Sequence, residues 1–514
     1  MKVAMTGTSG NMGREALKQS LELACVEYVR ILLSPKKKND KIEKKLKKQY
    51  GDRIQVLRGW MQDREACRAL VKDMDYVIHM AAVIPPASDA SPKASENCNM
   101  WGAVAIIDAV KECSPQPKYI HTSTVALYGN RDEKHPWGRV GDPLLVSPFD
   151  HYAMHKLYGE RYCLDAGLDC WAVLRQTAML HPNMLKNNVS DGLMFHTALN
   201  APLEWVSSRD SGYLIKRIIE RDADGEVPEF WNKIYNIGAG KKGMETGYDT
   251  FKDGFAIIGG SAEKFFKPNY LATRNFHGLW FADGGELQEL FDFQFDGVKD
   301  YWQEIARCHK IYALGKIVPA WLIDLFLFRR LRNHKNSPYR WVKDGDIPRV
   351  TATFGSMEKA KALPKKWEDV KLIAKGDFGD YDKMRDYENA TYLDHGYDEN
   401  KPMTDWTVRD LQSAASFRGG ALVSEKMEEG AIYKKLTWRC HDGHEFEASP
   451  YTVLRGGHWC PKCCQPTPWD FDRLAKHNPF FAQVWYDSHA KDEDVRYDFD
   501  EEGNSRMTPI GEDK

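Results

Sequence analysis

Tyr152 and Lys156 stand four residues apart in the run Asp150-His151-Tyr152-Ala153-Met154-His155-Lys156. On a helix, that spacing puts both side chains on one face. A lysine so placed can hold the ribose of a nicotinamide nucleotide, and its charge favours the phenolate and so lowers the phenol pKa. A tyrosine tuned in this way can protonate a carbonyl oxygen, or deprotonate an alcohol, while hydride moves from or to a cofactor. A hydroxyl at a nearby strand end would give that oxygen a second hydrogen bond. A separate constellation lies near the C-terminus, where Cys440-His441-Asp442-Gly443-His444 is followed, after a hairpin-sized gap, by Cys460-Pro461-Lys462-Cys463. Paired ligands with short internal spacing suit tetrahedral zinc, and Cys440, His444, Cys460 and Cys463 form the candidate set. His441 can replace His444, and Cys464 is a spare thiol. Four protein ligands leave no open position, so such a metal would be structural.

These side chains need a scaffold, and the first 240 residues supply its pattern. A strand at residues 1–6 runs into Gly7-Thr8-Ser9-Gly10-Asn11-Met12-Gly13 and then into a helical run. Gly7 allows a tight exit from the strand, Gly10 lets the backbone approach a pyrophosphate, and Gly13 lets the helix pack closely on the sheet. The helix N-terminus then offers free N–H groups and a partial positive charge to the anion. Residues 28–33, 54–57, 76–79, 119–122 and 171–174 read as buried strands, with helical segments between them such as 102–112 and 152–164. That alternation predicts an α/β fold with a doubly wound, parallel Rossmann sheet and right-handed crossovers. After the second strand the chain reads Ser34-Pro35-Lys36-Lys37-Lys38, and the first acid is Asp40. A hydroxyl with lysines suits a 2′-phosphate better than a bare ribose diol, so NADP is favoured over NAD.

The chain resembles an extended (atypical) short-chain dehydrogenase/reductase, of the superfamily of nucleotide-sugar epimerases, dehydratases and 3β-hydroxysteroid dehydrogenase-like enzymes. TGTSGNMG matches the family's TGxxGxxG, and Tyr152-x-x-x-Lys156 matches YxxxK. HTSTVALYG matches the family strand with Ser or Thr four residues before Tyr-Gly, which assigns the assisting hydroxyl to Thr124. Gly59-x-x-x-Asp63, around Met61, and Ala81-Ala82 continue the series as cofactor contacts. Asn99-x-x-Gly102, Leu174-Arg175, Val206-x-x-x-Asp210 and Asn236-Ile237-Gly238 complete it over residues 1–240. The resemblance implies an NAD(P)-dependent enzyme, a small-molecule substrate and pairing into a dimer. One departure stands out: Ala178-Met179-Leu180-His181-Pro182 replaces the Asn-Val-Tyr-Gly-Pro-like motif of sugar-nucleotide members. Apolar side chains there, and the aromatic residues of 275–328, point to a moderately apolar carbonyl/alcohol pair. Trp438-Arg439-Cys440 and Gly457-His458-Trp459-Cys460 resemble the knuckles of a zinc-ribbon or treble-clef module.

Five segments are expected: a Rossmann domain at 1–275, an aromatic-rich helical substrate lobe at 276–375, a linker at 376–405, a zinc-ribbon-like module at 406–475 and an acidic tail at 476–514, frayed from Asp487 on. Residues 317–328 are almost wholly apolar, and burial in the substrate lobe is expected, an interfacial membrane contact being the alternative. A net charge of −2 over 514 residues gives no field for nucleic acid. Neither a leader nor a membrane span is expected, and seven singly scattered cysteines fit a reduced, cytoplasmic setting. An NADP(H)-dependent oxidoreductase is the leading reading. An epimerase or dehydratase with tightly held NAD, and a non-catalytic nucleotide sensor, stay open beside it.

Overall fold

Short runs of Val, Ile, Leu and Met, closed by glycine or acidic turns, build the sheet of the first half. The computed structural model describes residues 1–185, 191–274, 276–464 and 468–510; the expected boundary at 275 lies outside them. The strands are β1 (Lys2–Thr6), β2 (Tyr28–Leu33), β3 (Ile54–Arg58), β4 (Tyr76–His79), β5 (Lys118–Thr124), β6 (Trp171–Gln176) and β7 (Lys233–Ile237). They pair in the order β7-β6-β5-β4-β1-β2-β3, all parallel. β4 and β6 are buried along their whole length, as a sheet covered on both faces demands. This is the doubly wound Rossmann sheet expected from the pattern.

The covering helices are α1 (Asn11–Ser20), α2 (Lys38–Tyr50), α3 (Arg64–Val71), α4 (Trp101–Lys111), α5 (His151–Asp165) and α6 (Ser208–Ala223). Asp63, Asp150 and Ser207 start α3, α5 and α6 by accepting backbone N–H bonds of the first turn. α1 and α6 lie so close that a Cβ on Gly212 would sit 2.5 Å from that of Glu15. Val3, Met5, Ile31, Leu214 and Ile218 share the core on that face of the sheet.

The opposite face has a continuation that the sequence did not announce. Its core runs from Leu70, Ile106 and Val110 through Trp171 into Trp438, Tyr451, Leu454 and Trp459. β8 (Leu436–Arg439) and β9 (Glu445–Ala448) form the antiparallel hairpin of this C-terminal module. The amide of Ile234 on edge strand β7 donates to the Tyr451 hydroxyl (2.8 Å), so the module covers part of a sheet edge that would otherwise offer free N–H groups.

Three expectations are corrected. The segment 376–405 does not hang free: Trp137 Nε1 donates to Met384 O, Arg139 pairs with Glu399, and His395 is buried against Asp142. The end of the chain is not frayed through residue 510, because β10 (Val495–Phe499) and β11 (Ser505–Pro509) form a hairpin. Its Tyr497 and Phe499 pack edge-on against Phe149, and those few aromatics outweigh the acidic composition. Residues 317–328 are not buried in the substrate lobe; Ile317, Trp321, Leu325 and Phe326 face outward, and Phe328 alone is fully enclosed.

A candidate nucleotide cleft and a candidate metal cluster

Three glycines shape the turn after β1, each differently. Gly7 has φ +73°, and a Cβ there would lie 2.6 Å from the Met80 carbonyl group at the end of β4. At Gly13 a Cβ would meet Gly7 O at 2.4 Å, so the start of α1 is pressed onto the turn itself. Gly10 has only Gly7 O nearby, at 3.2 Å, which leaves open space beyond it. No side chain caps α1 and its first turn holds no acid, so the first amides keep their anion-binding capacity. Thr6 Oγ1 accepts from the amides of Met80 and Ala81, locking the ends of β1 and β4 together.

These elements border a cleft of about 710 Å³ at the carboxyl ends of the strands. Gly7, Ser9, Gly10, Asn11, Met12 and Gly13 line one wall; Ser34, Lys36, Met61, Ala81 and Ala82 line the others, and Tyr152 and Lys156 face in from α5. Lys38 of the lysine run also borders it, as do Trp60, Gln62, Asn97 and Gln176, which were not singled out in the sequence. Among the described residues the lining contains no Asp or Glu, while it holds three lysines. Thr8 is buried and lies outside the lining, because its side chain turns into the fold.

Thr124 also lies behind the cleft wall. Its hydroxyl accepts from the Ala126 amide (3.2 Å). Burial pushes the Tyr152 phenol up to about 12, partly offset by a hydrogen bond with Thr124 and reinforced by the Asp150 charge. The expected lowering of the phenol by Lys156 is therefore absent in this state. Lys156 Nζ donates instead to Thr122 O (2.5 Å), and burial brings its own pKa down to about 8.

One helical turn beyond Lys156, Glu160 is fully buried and was missed in the sequence. It pairs bidentately with Arg175 (2.6 and 3.2 Å), accepts from Ser123 Oγ (2.5 Å), and meets His458 Nε2 at 3.0 Å. Burial alone would raise the Glu160 carboxyl, but Arg175 and His458 more than offset it and hold it below the ordinary range. Arg161 donates to Trp459 O (3.1 Å) and Glu447 O (2.9 Å), and Arg175 to Gly456 O (2.7 Å). Sequence separations near 300 residues hid these partners. Before Tyr152, Asp150 borders a smaller cavity of about 130 Å³, with Asp89, His196, His277 and Arg349 among aromatic walls. Burial raises Asp89 to about 7 and Asp150 to about 6; the neighbouring Asp150 charge adds to the shift on Asp89. Asp150 is legible as a helix cap, whereas Asp89 carries no local signal.

The ligating atoms of Cys440, His444, Cys460 and Cys463 all lie within 4.8 Å of one another. His444 Nδ1 is 3.5, 3.8 and 3.3 Å from the sulfurs of Cys440, Cys460 and Cys463, and Cys440 and Cys463 are 3.6 Å apart. Tetrahedral zinc with bonds of about 2.0–2.3 Å separates its ligand atoms by roughly 3.4–3.8 Å, so the donor set and spacing fit that ion. His441 does not join them; it stacks on His477 at 3.7 Å.

Residues 3–238 match the model of the NAD dependent epimerase/dehydratase family. D-erythronate dehydrogenase of Cupriavidus necator is 28% identical over 109 residues, 21% of this chain and 32% of that protein. The chain thus spans about a third of the length of the curated relatives it matches. UDP-glucuronic acid 4-epimerase of Bacillus cereus, solved with UDP-glucuronic acid and NAD, is 20% identical over 60% of this chain and 99% of its own (TM-score 0.49). dTDP-glucose 4,6-dehydratase of Bacillus anthracis, in complex with NAD, is 17% identical over 61% and 98% (TM-score 0.47). Residues 3–238, which carry the glycine turn and Tyr152-x-x-x-Lys156, are thus similar to the NAD dependent epimerase/dehydratase family, and the rest of the chain lies outside that match.

Proposed function

We propose that the protein is an NADP(H)-dependent oxidoreductase that interconverts a carbonyl and an alcohol on a small molecule. The observation that carries this reading is the meeting of the glycine turn, Tyr152 and Lys156 in one cleft that holds no carboxylate among the described residues. When bound, the nicotinamide nucleotide supplies or accepts the hydride. Residues 7–13 would hold its pyrophosphate, and Lys156 its ribose. Ser34, Lys36 and Lys38 would face a 2′-phosphate, where a diol-binding carboxylate is missing. The Tyr152 hydroxyl would donate its proton to the carbonyl oxygen, or take one from the alcohol. Thr124 would hold the phenol in place and take part in the same hydrogen-bond chain. The cavity beside Asp150 would receive the substrate: Phe276 and Trp341 offer apolar walls, Asp89 and Arg349 polar contacts. The likeness to a dehydrogenase agrees with alcohol/carbonyl chemistry.

Cys440, His444, Cys460 and Cys463 would hold a structural zinc, whose closed shell leaves no room for a reacting ligand. A role in pairing two subunits is consistent with the family resemblance and awaits a measurement of mass in solution. Titration with NADPH and NADH tests the reading directly. Tighter binding of NADPH, weakened by Lys36→Glu, is the expected result; a preference for NADH overturns the choice of NADP. A nucleotide that survives purification, with no net consumption of added NADPH, would favour the epimerase or dehydratase reading.

A further inference from the structure

Six large apolar side chains stand out of the surface between residues 311 and 326. Ile311 is 70% exposed, Ile317 79%, Trp321 65% and Phe326 74%, with Leu314 and Leu325 beside them. The segment is two short helical pieces, Lys310–Lys316 and Ala320–Arg332, bent by 120°. It is not a loose loop. Phe328 and Leu331 are buried, and the Phe328 ring packs against Phe255, Phe265 and Phe266 at 5.6–6.1 Å. Apolar side chains thus point both into the molecule and out of it, a pattern that a freely solvated helix does not show.

Charge decides what covers the outer face. Lys310 and Lys316 belong to the first piece, and Arg329 and Arg330 to the end of the second. All four are exposed and have no ion-pair partner among the described residues. The one acid in the segment, Asp324, is already paired with Arg332. A second copy docked by this same face about a two-fold axis would set cations against cations. A plane of phosphate headgroups over hydrocarbon meets both demands, since apolar side chains enter the boundary while long cationic ones reach the phosphates. No single helix among the described residues is long and apolar enough to cross a membrane; these two pieces reach that length and composition only together, across their 120° bend. We propose that residues 310–332 dock the protein onto the surface of an anionic lipid bilayer, without spanning it.

Flotation of the full chain with phosphatidylcholine vesicles, with and without phosphatidylglycerol, tests this independently of any chemistry in the cleft. The chain is expected to float with the anionic vesicles, and Trp321 emission to shift to the blue. The pair Trp321→Glu and Phe326→Glu should lower the partition coefficient at least about tenfold. The pair Arg329→Glu and Arg330→Glu should remove the preference for phosphatidylglycerol and the sensitivity to salt. Both pairs replace exposed side chains, so their thermal midpoints should equal the parent's; the arginine pair keeps the test open if the apolar pair misfolds. Absence from both kinds of vesicle overturns the proposal, as does flotation untouched by both pairs. A dimer dispersed by the apolar pair, in a chain that does not float, overturns it in favour of a second copy.

Discussion

The candidate nucleotide cleft meets α5 at Tyr152 and Lys156, while the loop around Trp459 grips the same helix at Glu160 and Arg161. The cleft is bordered by the glycine turn, three lysines and large apolar side chains such as Trp60 and Met61. At the C-terminal loop, Glu160, Arg175 and His458 meet one another, and Arg161 and Arg175 meet carbonyls. Successive turns of the helix therefore differ: Tyr152 and Lys156 border the cleft, while Glu160 and Arg161 are held by the C-terminal loop. Residues 3–238 match the family model, and the gripping loop lies outside that stretch. On the proposed function the chemistry falls within residues 3–238, and the loop around Trp459 is expected to hold α5 in place.

Tyr152→Phe should separate the two regions most sharply. Loss of general acid–base catalysis would lower turnover about 10²- to 10⁴-fold, with NADPH affinity and bound metal unchanged, as read by steady-state kinetics, titration and metal analysis. Equal loss of nucleotide binding would make Tyr152 a structural residue. Glu160→Ala comes next. It leaves the fully buried Arg175 without its carboxylate, a change that costs about 3–5 kcal/mol. Urea unfolding should register that cost, and the surviving folded protein should bind nucleotide more weakly, because Lys156 rides one turn away. Cys460→Ser should remove metal and lower the thermal midpoint by several degrees, on the order of 1–3 kcal/mol where the remaining core holds the module in place. A drop in NADPH affinity on metal removal, absent from the Tyr152→Phe protein, would sharpen the expectation that the loop holds α5 in place. Unchanged affinity would reduce the module to a cover for the sheet edge.

The order of legibility follows the range of the interactions. The glycine turn, Tyr152 with Lys156, Cys440 with His444 and Cys460 with Cys463 are each set by spacing within a few residues, so a single sequence can bring them forward as candidates. The sheet was legible too, because buried parallel strands write continuous apolar runs such as Tyr76–His79. Glu160 was not, since a glutamate on a helix reads as solvated until Arg175 and His458 are brought to it from afar. The C-terminal hairpin was hidden for another reason: acidic composition outvoted Tyr497 and Phe499, whose partner Phe149 lies some 350 residues away. The partner of Lys156 was not legible either, since spacing gives the face of the helix and not the group opposite it, here Thr122 O.

The smallest effect concerns the N-cap of α5, where the C-terminal hairpin meets residues 3–238. Asp150 accepts from the Ala153 amide at 2.9 Å, and the ring of the adjacent His151 stacks on Phe499 of the C-terminal hairpin at 4.6 Å. Burial raises the Asp150 carboxyl from its ordinary 3.8 to about 6. A carboxyl raised on folding contributes stability that is fully present below about pH 4 and is lost as pH climbs through about 6, since ionisation is easier in the unfolded chain. Asparagine caps a helix about as well as aspartate and carries no charge. Asp150→Asn should therefore match the parent near pH 4 and exceed it by about 1–2 kcal/mol at pH 7, in thermal melts across that range. Removing residues 487–514 should shrink this difference if the hairpin supplies the burial. An undiminished difference would assign the burial to residues 3–238, and the C-terminal part would then bear on α5 only at Glu160 and Arg161.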